Sequence, residues 1–250
     1  MGSAIIDFQT LRVPRALLIV PCYNEASRIS PEQFHAFVSA GNYICFADDG
    51  SKDGTSDLLR KYFEGHPLVT VFRSETNLGK AGIIRAAALD LLKKGMPKEI
   101  EWVGFWDADL ATPLGEVELF LRFQRDFAPQ AQAIFGSRVL RLGAEIERSV
   151  LRHYLGRAFA TLAALMLKVR SYDSQCGAKL FHRSILEKIF QEEFISRWIF
   201  DLEILLRIGE KQVVEFPVNQ WHDVPGSKVK IFKEIFRVLL DMKKIRDRYC

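Results

Sequence analysis

The sequence predicts an α/β protein with a mostly parallel central sheet flanked by helices. Two observations predict it: short apolar runs alternate with segments of helical pattern, and three of those runs end in polar clusters. The chain has 250 residues, with 48% hydrophobic and 26% charged residues, which is typical of a globular protein. A chain of this length can bury one sizeable core, so we predict a single domain over residues 1–250.

The first half of the chain carries the alternation. Residues 16–21 (ALLIVP) form an all-apolar run that ends at a proline, as expected of a central parallel strand buried on both faces. The pattern predicts further strands and helices, with strands at 43–47, 68–73 and 102–106 and helices at 31–40, 55–63 and 80–94. This order indicates a doubly wound sheet.

The second half mixes longer helical segments with short apolar runs. The pattern predicts strands and helices here too, with strands at 133–137, 179–181 and 212–218 and helices at 148–168, 183–191 and 200–208. Because no internal repeat, low-complexity segment or linker separates the halves, we assign both to the same domain.

Polar residues follow three of the predicted strands. They are Tyr23-Asn24-Glu25, Asp48-Asp49 and Asp107-Ala108-Asp109. In an open parallel sheet, ligands bind beyond the carboxyl ends of the strands. We therefore expect these clusters to meet at one edge, although they are far apart in sequence.

Asp107-Ala108-Asp109 is the sharpest of these clusters. Two carboxylates separated by one residue at a strand end can bind Mg²⁺ or Mn²⁺, which take oxygen ligands and bridge phosphate oxygens. Such a cation offsets the charge that builds on a departing nucleoside diphosphate. The alternative is a solvated turn rich in Asp, but the position after an apolar strand favours the metal site.

Four segments together, in this order and spacing, resemble glycosyltransferase family 2, whose nucleotide-sugar-binding fold is called GT-A. They are Pro21 to Glu25, Asp48 to Thr55, Asn77 to Lys80 and Asp107 to Asp109. The resemblance implies a nucleotide-sugar donor, UDP-glucose or GDP-mannose, bound across residues 15–112. The implied donor-binding residues in this part are Pro21, Tyr23, Asn24, Glu25, Asp48, Asp49, Lys80, Asp107, Ala108 and Asp109.

The resemblance also divides the work among these residues. Tyr23 and Glu25 would lie near the base and ribose, and Asp48 would meet the edge of the uracil or guanine. Asp107 and Asp109 would serve the ribose, the metal and the diphosphate. Standing alone, Asp48-Asp49-Gly50 would instead indicate a strand-to-turn cap.

The second half is similar to the polyprenyl-phosphate glycosyltransferases of this family. The matching segments are Gly136 to Arg138, Asp173 to Phe181, Arg197 to Glu203 and Gly226 to Lys228. The closest resemblance is to dolichyl-phosphate glucosyltransferases, because Ala111 stands where mannosyl relatives commonly carry a Gln as an extra metal ligand. This resemblance places the acceptor on residues 113–230 and adds Gln175 and Lys179 to the donor contacts.

A lipid-phosphate acceptor explains the arginines chemically. A phosphate is largely ionised near neutral pH, so it can attack the anomeric carbon without a strong general base, provided that guanidinium groups position it. Arg148 and Arg152, four residues apart in a predicted helix, can share one face. The alternative is that they are solvated helix arginines. The predicted acceptor-phosphate set is Arg138, Arg148, Arg152, Arg197 and Lys228.

Two further functions stay open. An enzyme that glycosylates a saccharide hydroxyl in capsule or lipopolysaccharide assembly would need a general base, for which Asp201 and Glu203 are candidates. With a phosphate acceptor these acids would instead orient Arg197 or Lys179, or form a buried salt bridge. We assign Asp109, Arg138 and Asp201 as the catalytic candidates. The other alternative is a catalytically silent nucleotide-sugar binder, whereas a Rossmann dehydrogenase is excluded because no Gly-x-Gly-x-x-Gly follows the first strand.

The remaining features concern location. The four cysteines are far apart and form no Cys-x-x-Cys pair, which predicts a reducing, cytoplasmic setting without disulfides. No apolar run reaches the roughly 20 residues needed to span a bilayer. Residues 229–248 form a basic amphipathic pattern, which predicts either peripheral membrane contact or a helix docked on the core. We expect no nucleic-acid partner.

Overall fold

The computed structural model describes residues 15–223 and 231–250, without the side chains of residues 151–152 and 231–236. The strands are β1 (Arg15–Cys22), β2 (Tyr43–Asp48), β3 (Val69–Arg73), β4 (Ile100–Trp106), β5 (Ala133–Ser137), β6 (Glu145–Glu147), β7 (Ala178–His182), β8 (Val213–Pro217) and β9 (Gln220–His222). The α-helices are α1 (Glu32–Ser39), α2 (Thr55–Tyr62), α3 (Gly79–Lys94), α4 (Glu116–Phe127), α5 (Val150–Leu167), α6 (Leu186–Phe190), α7 (Phe200–Ile208) and α8 (Ile231–Tyr249).

Seven strands form the central sheet in the order β3-β2-β1-β4-β7-β5-β8. The strands from β3 to β4 are parallel, β7 runs antiparallel to both of its neighbours, and β8 is parallel to β5. The predicted α/β class with a mostly parallel sheet is therefore confirmed. The short strands β6 and β9 pair separately, in parallel.

The core lies on both faces of this sheet, as the all-apolar first strand predicts. Leu17 and Ile19 of β1 pack on the face covered by α3 and α5 to α8. Leu18 and Val20 pack on the opposite face, which α1, α2 and α4 cover. All four side chains are at most 4% exposed, so β1 is a fully buried strand at the centre of the domain.

Most predicted elements occur within two residues of their expected bounds, but three elements were missed. Helix α4 lies in a stretch to which we assigned no element, and β6 and β9 have three residues each, too few for a periodic signal. Helix α5 also begins later than predicted, at Val150. Arg148 therefore precedes this helix, and the prediction that Arg148 and Arg152 share a helix face is wrong.

Helix α8 is docked on the core through its described side chains. Met242 and Ile245 are fully buried. Asp241 accepts a hydrogen bond from the Ser196 hydroxyl at 2.7 Å, and the Tyr249 hydroxyl accepts one from Arg207 at 3.0 Å. The docked alternative thus accounts for this part of the helix, while residues 224–230, including Lys228, lie outside the described residues. No helix in the described parts of the chain is long and apolar enough to cross a membrane.

Candidate active site

The three predicted polar clusters lie at one edge of the sheet. They follow β1, β2 and β4, which are parallel neighbours in the order β2-β1-β4. The loops after β1 and β2 are joined directly: the Asn24 amide donates to the Ser51 hydroxyl at 2.9 Å, and the Glu25 amide donates to the Thr55 hydroxyl at 2.9 Å. The expected convergence of distant segments is therefore confirmed for this pair of loops.

Asn24 shapes the first of these loops. Its φ of 52° lies in the left-handed region, which Asn tolerates better than most residues. Its side-chain oxygen accepts a hydrogen bond from the Lys52 amide at 2.9 Å. The preceding residue, Tyr23, is 39% exposed at this edge.

Asp48 is enclosed within its own turn. Its side chain is buried, one carboxylate oxygen accepts from the Ser51 amide at 3.0 Å, and the other accepts from the Ser56 hydroxyl at 2.5 Å. Arg73 adds an ion pair at 3.6 Å. The expected direct contact of Asp48 with a base edge has no support in this geometry, which matches the strand-to-turn cap instead.

Asp49 caps the start of α3. Its two carboxylate oxygens accept from the amides of Leu78 at 2.6 Å and Gly79 at 2.9 Å, and its side chain is almost fully buried. Burial raises the pKa of this carboxyl, although the two amides oppose that effect. Asp49 therefore fixes the helix whose second residue, Lys80, enters the site.

Lys80 and Asp107 form the ion pair at the centre of the edge. The Lys80 ammonium lies 2.5 Å from Oδ1 of Asp107, and the two side chains are 38% and 40% exposed. Gly177 lies directly behind this carboxylate, because a Cβ atom there would collide with Asp107 Oδ2. The space for Asp107 thus depends on the absence of a side chain at position 177.

Asp109 lies at the surface beside this pair, separated from Asp107 by the partly buried Ala108. Reduced solvation near the protein surface, followed by the negative charge of Asp107, raises the pKa of the Asp109 carboxyl. A cation between the two acids would relieve this repulsion, and carboxylate oxygens are suitable ligands for Mg²⁺ or Mn²⁺. In the described residues no group of three or more His, Cys, Asp or Glu side chains could hold a metal. A cation here would therefore need further ligands from a bound donor or from water.

Lys179 and Asp201 form a second, buried ion pair. Lys179 Nζ lies 2.7 Å from Asp201 Oδ1 and donates to the Cys176 carbonyl at 2.5 Å. It also lies 5.3 Å and 4.9 Å from the ring centres of Phe105 and Phe135. Lys179 is fully buried, so its predicted direct contact with the donor has no support, whereas the alternative that Asp201 orients Lys179 agrees with the structure.

Glu203 belongs to the scaffold. Its carboxylate accepts from the amides of Ile195 and Ser196, each at 3.0 Å, and lies 3.6 Å from the Arg207 guanidinium. The side chain is fully buried. The salt-bridge alternative therefore describes Glu203 better than a role as general base.

Next to this edge lies a small cavity of about 30 Å³ rich in basic side chains. Its lining includes Arg138, Arg148, His153, Arg157, Tyr172 and Gln175. Two of the predicted acceptor arginines thus share one cavity. His153 and Arg157 are further cavity residues that were not predicted, although their spacing of four residues within α5 indicates a common helix face.

Within the cavity, Arg138 is held by a bidentate pair with Asp173. Its Nε and Nη2 donate to the two carboxylate oxygens at 2.6 Å and 2.8 Å, and its guanidinium lies 5.4 Å from the centre of the Trp221 ring. Burial would raise the pKa of Asp173, but the Arg138 charge and hydrogen bonds outweigh it and lower the pKa to about 2. The guanidinium of Arg148 lies against Gly156 on α5.

The remaining predicted residues lie elsewhere or outside the description. The aliphatic part of Arg197 lies over Gly79, so this arginine is at the donor edge, beside α3. The Arg152 side chain and the whole of Lys228 are outside the described residues. Pro21 lies near the end of β1, paired in register with Ala47.

Solved structures share this architecture across nearly the whole chain. Glucosyl-3-phosphoglycerate synthase from Mycobacterium tuberculosis in complex with UDP has a TM-score of 0.64 at 14% identity, covering 94% of this chain and 80% of that one. A mannosyltransferase from Pyrobaculum calidifontis in complex with GDP-Man and Mn²⁺ has a TM-score of 0.61 at 21% identity, covering 95% and 66%. The chain therefore has the GT-A fold of these glycosyltransferases.

Sequence comparison then gives the family. The family described as Glycosyl transferase family 2 matches residues 17–190. The chain belongs to glycosyltransferase family 2.

Named relatives align with nearly the whole chain. The dolichyl-phosphate beta-glucosyltransferase of Homo sapiens is 32% identical, with 93% of this chain and 75% of that protein covered. The enzyme of the same name from Saccharomyces cerevisiae is 30% identical, with coverage of 93% and 74%.

Proposed function

We propose that this protein transfers glucose from UDP-glucose to a dolichyl or related polyprenyl phosphate, with inversion at the anomeric carbon. The observation that carries the proposal is the adjacency of two sites of opposite charge, the Asp107–Asp109 edge and the arginine-lined cavity. Gln175 joins them: it lines the cavity, and its amide lies 3.4 Å from Asp201, whose carboxyl interacts electrostatically with both Lys80 and Asp107. An anionic acceptor and an anionic donor could thus be held side by side.

On the donor side, the exposed Tyr23 and the neighbouring Glu25 would hold the nucleoside, in a loop shaped by Asn24. Asp48 and Asp49 would act indirectly by fixing this loop and the start of α3. Asp107 and Asp109 would hold Mg²⁺ or Mn²⁺ together with the diphosphate. When bound, this cation would supply positive charge against the leaving nucleoside diphosphate.

On the acceptor side, Arg148 and Arg157 would bind the phosphate of the lipid. Because the phosphate is already ionised, the protein needs to position it rather than deprotonate it. Arg138, held rigidly by Asp173, would add positive charge and fix the cavity wall. Arg152 and Lys228 stay proposed members of this set.

Exposed apolar side chains in the segment that supplies the cavity arginines support a lipid acceptor. Leu142 is fully exposed, and Leu140, Val150 and Tyr154 are each at least 65% exposed. They lie between Arg138 and Arg157, in the segment that supplies all three arginines of the cavity lining. We propose that this apolar rim contacts the lipid chain at a membrane surface. The names of the relatives support glucose and dolichyl phosphate as the substrates.

Product formation tests the proposal. Radiolabelled UDP-glucose and GDP-mannose are each incubated with the protein, a short polyprenyl phosphate, and either Mn²⁺, Mg²⁺ or a chelator. We expect label from UDP-glucose to enter the organic phase only when metal is present. Hydrolysis of the donor with an unlabelled lipid would overturn the lipid acceptor, and labelling from GDP-mannose alone would overturn the choice of glucose.

A further inference from the structure

Lys80 stands in an acidic environment at the donor edge. Its ammonium contacts Asp107, and Asp109 and Asp201 add further negative charge. Desolvation alone would lower the pKa of Lys80, but the charge of Asp107, followed by that of Asp201, raises it. Lys179 already forms an ion pair with Asp201 at 2.7 Å. Asp107 is therefore the main ionic partner of Lys80.

The two partners of this pair differ in freedom. Gly177 packs directly behind the Asp107 carboxylate, and a Cβ at that position would collide with it. The Lys80 ammonium instead ends a flexible four-carbon stem, and the side chain as a whole is 38% exposed. Asp107 is therefore fixed in place, while Lys80 can move away from it.

We propose that Lys80 is an exchangeable counterion that occupies Asp107 in the empty enzyme and transfers to the diphosphate when donor and metal bind. This inference rests on the proposed metal-dependent function. In the empty state, Lys80 competes with a divalent cation for Asp107. Since the described protein groups leave a cation short of ligands, oxygens of a bound diphosphate would complete its shell and strengthen its binding.

The exchange has a thermodynamic signature. If UDP releases Lys80 from Asp107, then UDP strengthens Mn²⁺ binding by some factor, and Mn²⁺ strengthens UDP binding by the same factor. Removing the ammonium should affect the two ligands in opposite directions. Mn²⁺ alone should bind more tightly because its competitor is gone, and UDP should bind more weakly because a cation is lost.

The test measures Mn²⁺ binding by electron paramagnetic resonance, with and without UDP, in the wild type, Lys80→Met and Lys80→Arg. We expect Lys80→Met to bind Mn²⁺ without UDP roughly three- to tenfold more tightly, an effect limited by the exposure of the pair. We also expect the factor by which UDP strengthens Mn²⁺ binding to fall in this variant. Lys80→Arg, which keeps the charge, should stay near the wild type.

Lys94→Met is the matched control. Lys94 lies on the same helix and forms an ion pair with Asp90 at 2.7 Å, far along α3 from the site, so this variant loses a lysine pair without touching Asp107. It should leave both affinities unchanged. Thermal unfolding of each variant confirms that it is folded.

The outcomes separate this inference from the proposed function. If UDP strengthens Mn²⁺ binding equally in the wild type and Lys80→Met, the exchange is overturned while metal-dependent donor binding stands. If Lys80→Met weakens Mn²⁺ binding in the absence of UDP, Lys80 is not a competitor and the exchange is again overturned. Absence of Mn²⁺ binding to the wild type under every condition would overturn both.

Discussion

The Lys179 ammonium lies 2.7 Å from the Asp201 carboxylate, and both side chains are buried. One oxygen of Asp201 therefore contacts a buried partner, and its other oxygen lies 3.4 Å from the Gln175 amide. A general base must reach the proton that it removes. This geometry favours a positioning role for Asp201 behind the Lys80–Asp107 pair, and it disfavours the saccharide-hydroxyl alternative.

We therefore expect Asp201→Asn to destabilise the fold. Removing one partner of a buried pair leaves the other charge uncompensated, at a cost of about 3–5 kcal/mol. We expect the free energy of unfolding in urea to fall accordingly. The double variant Lys179→Met, Asp201→Asn should recover much of the loss, together with part of the transfer activity. A fully stable Asp201→Asn protein without any turnover would support the general-base role instead.

Asp109→Asn tests the metal site. Replacing one carboxylate of the proposed pair removes a charged ligand, so we expect the transfer rate to fall at least about 100-fold with unchanged stability. Asp126→Asn is the control, because Asp126 is an exposed acid paired with Arg125 on α4. Full metal-dependent transfer by the Asp109 variant would contradict the proposed metal site.

The sequence predicts the site edge well because strand order alone brings the loops after β1, β2 and β4 together. It does not predict which acids are enclosed and which face solvent. Asp48 and Asp107 both follow apolar strands, yet Asp48 is enclosed by Ser51 and Ser56 while Asp107 faces solvent and Lys80. That difference depends on the turn after each strand, which has no periodic signal.

Two other features of the site are hard to predict for a related reason. Gly177, the residue before β7, shapes the site by lacking a side chain. Only the packed structure shows that this leaves room for the Asp107 carboxylate. The exact start of α5 is also visible only in the folded structure. Because the helix starts two residues later than predicted, Arg148 lies outside it and does not follow helical spacing.

Asp173 should make stability depend on acid pH. Its pKa is about 2 in the folded protein against an ordinary 3.8, so it stabilises the fold above pH 4, and that contribution is lost as the pH falls towards 2. We expect the contribution of Asp173 to the free energy of unfolding to fall by about 1 kcal/mol between pH 5 and pH 3. Urea unfolding at several pH values should show a steeper loss in the wild type than in Asp173→Asn. Parallel curves for the two proteins would contradict the assignment.

Arg148 and Arg157 should govern the acceptor rather than the donor. A charge-assisted hydrogen bond to phosphate is worth about 1.5–3 kcal/mol, so each Ala variant should raise KM for the polyprenyl phosphate roughly 10- to 100-fold. KM for UDP-glucose should change little. Arg122→Ala is the control, since Arg122 is paired with Glu118 on the exposed side of α4. An equal rise in both KM values would indicate a general disturbance of the site.

Gly177→Ala gives the sharpest steric test of the donor edge. The added Cβ would overlap Oδ2 of Asp107, so the carboxylate must turn away from its position. Because displacements of about 1 Å can cost about 100-fold in rate, we expect kcat to fall by about that factor while the protein stays folded. Gly115→Ala is the matched control, because a Cβ at Gly115 meets only open space and its φ of −61° suits alanine. Steady-state kinetics and thermal unfolding of both variants check the prediction. A full rate in Gly177→Ala would contradict the idea that catalysis needs Asp107 in this fixed position.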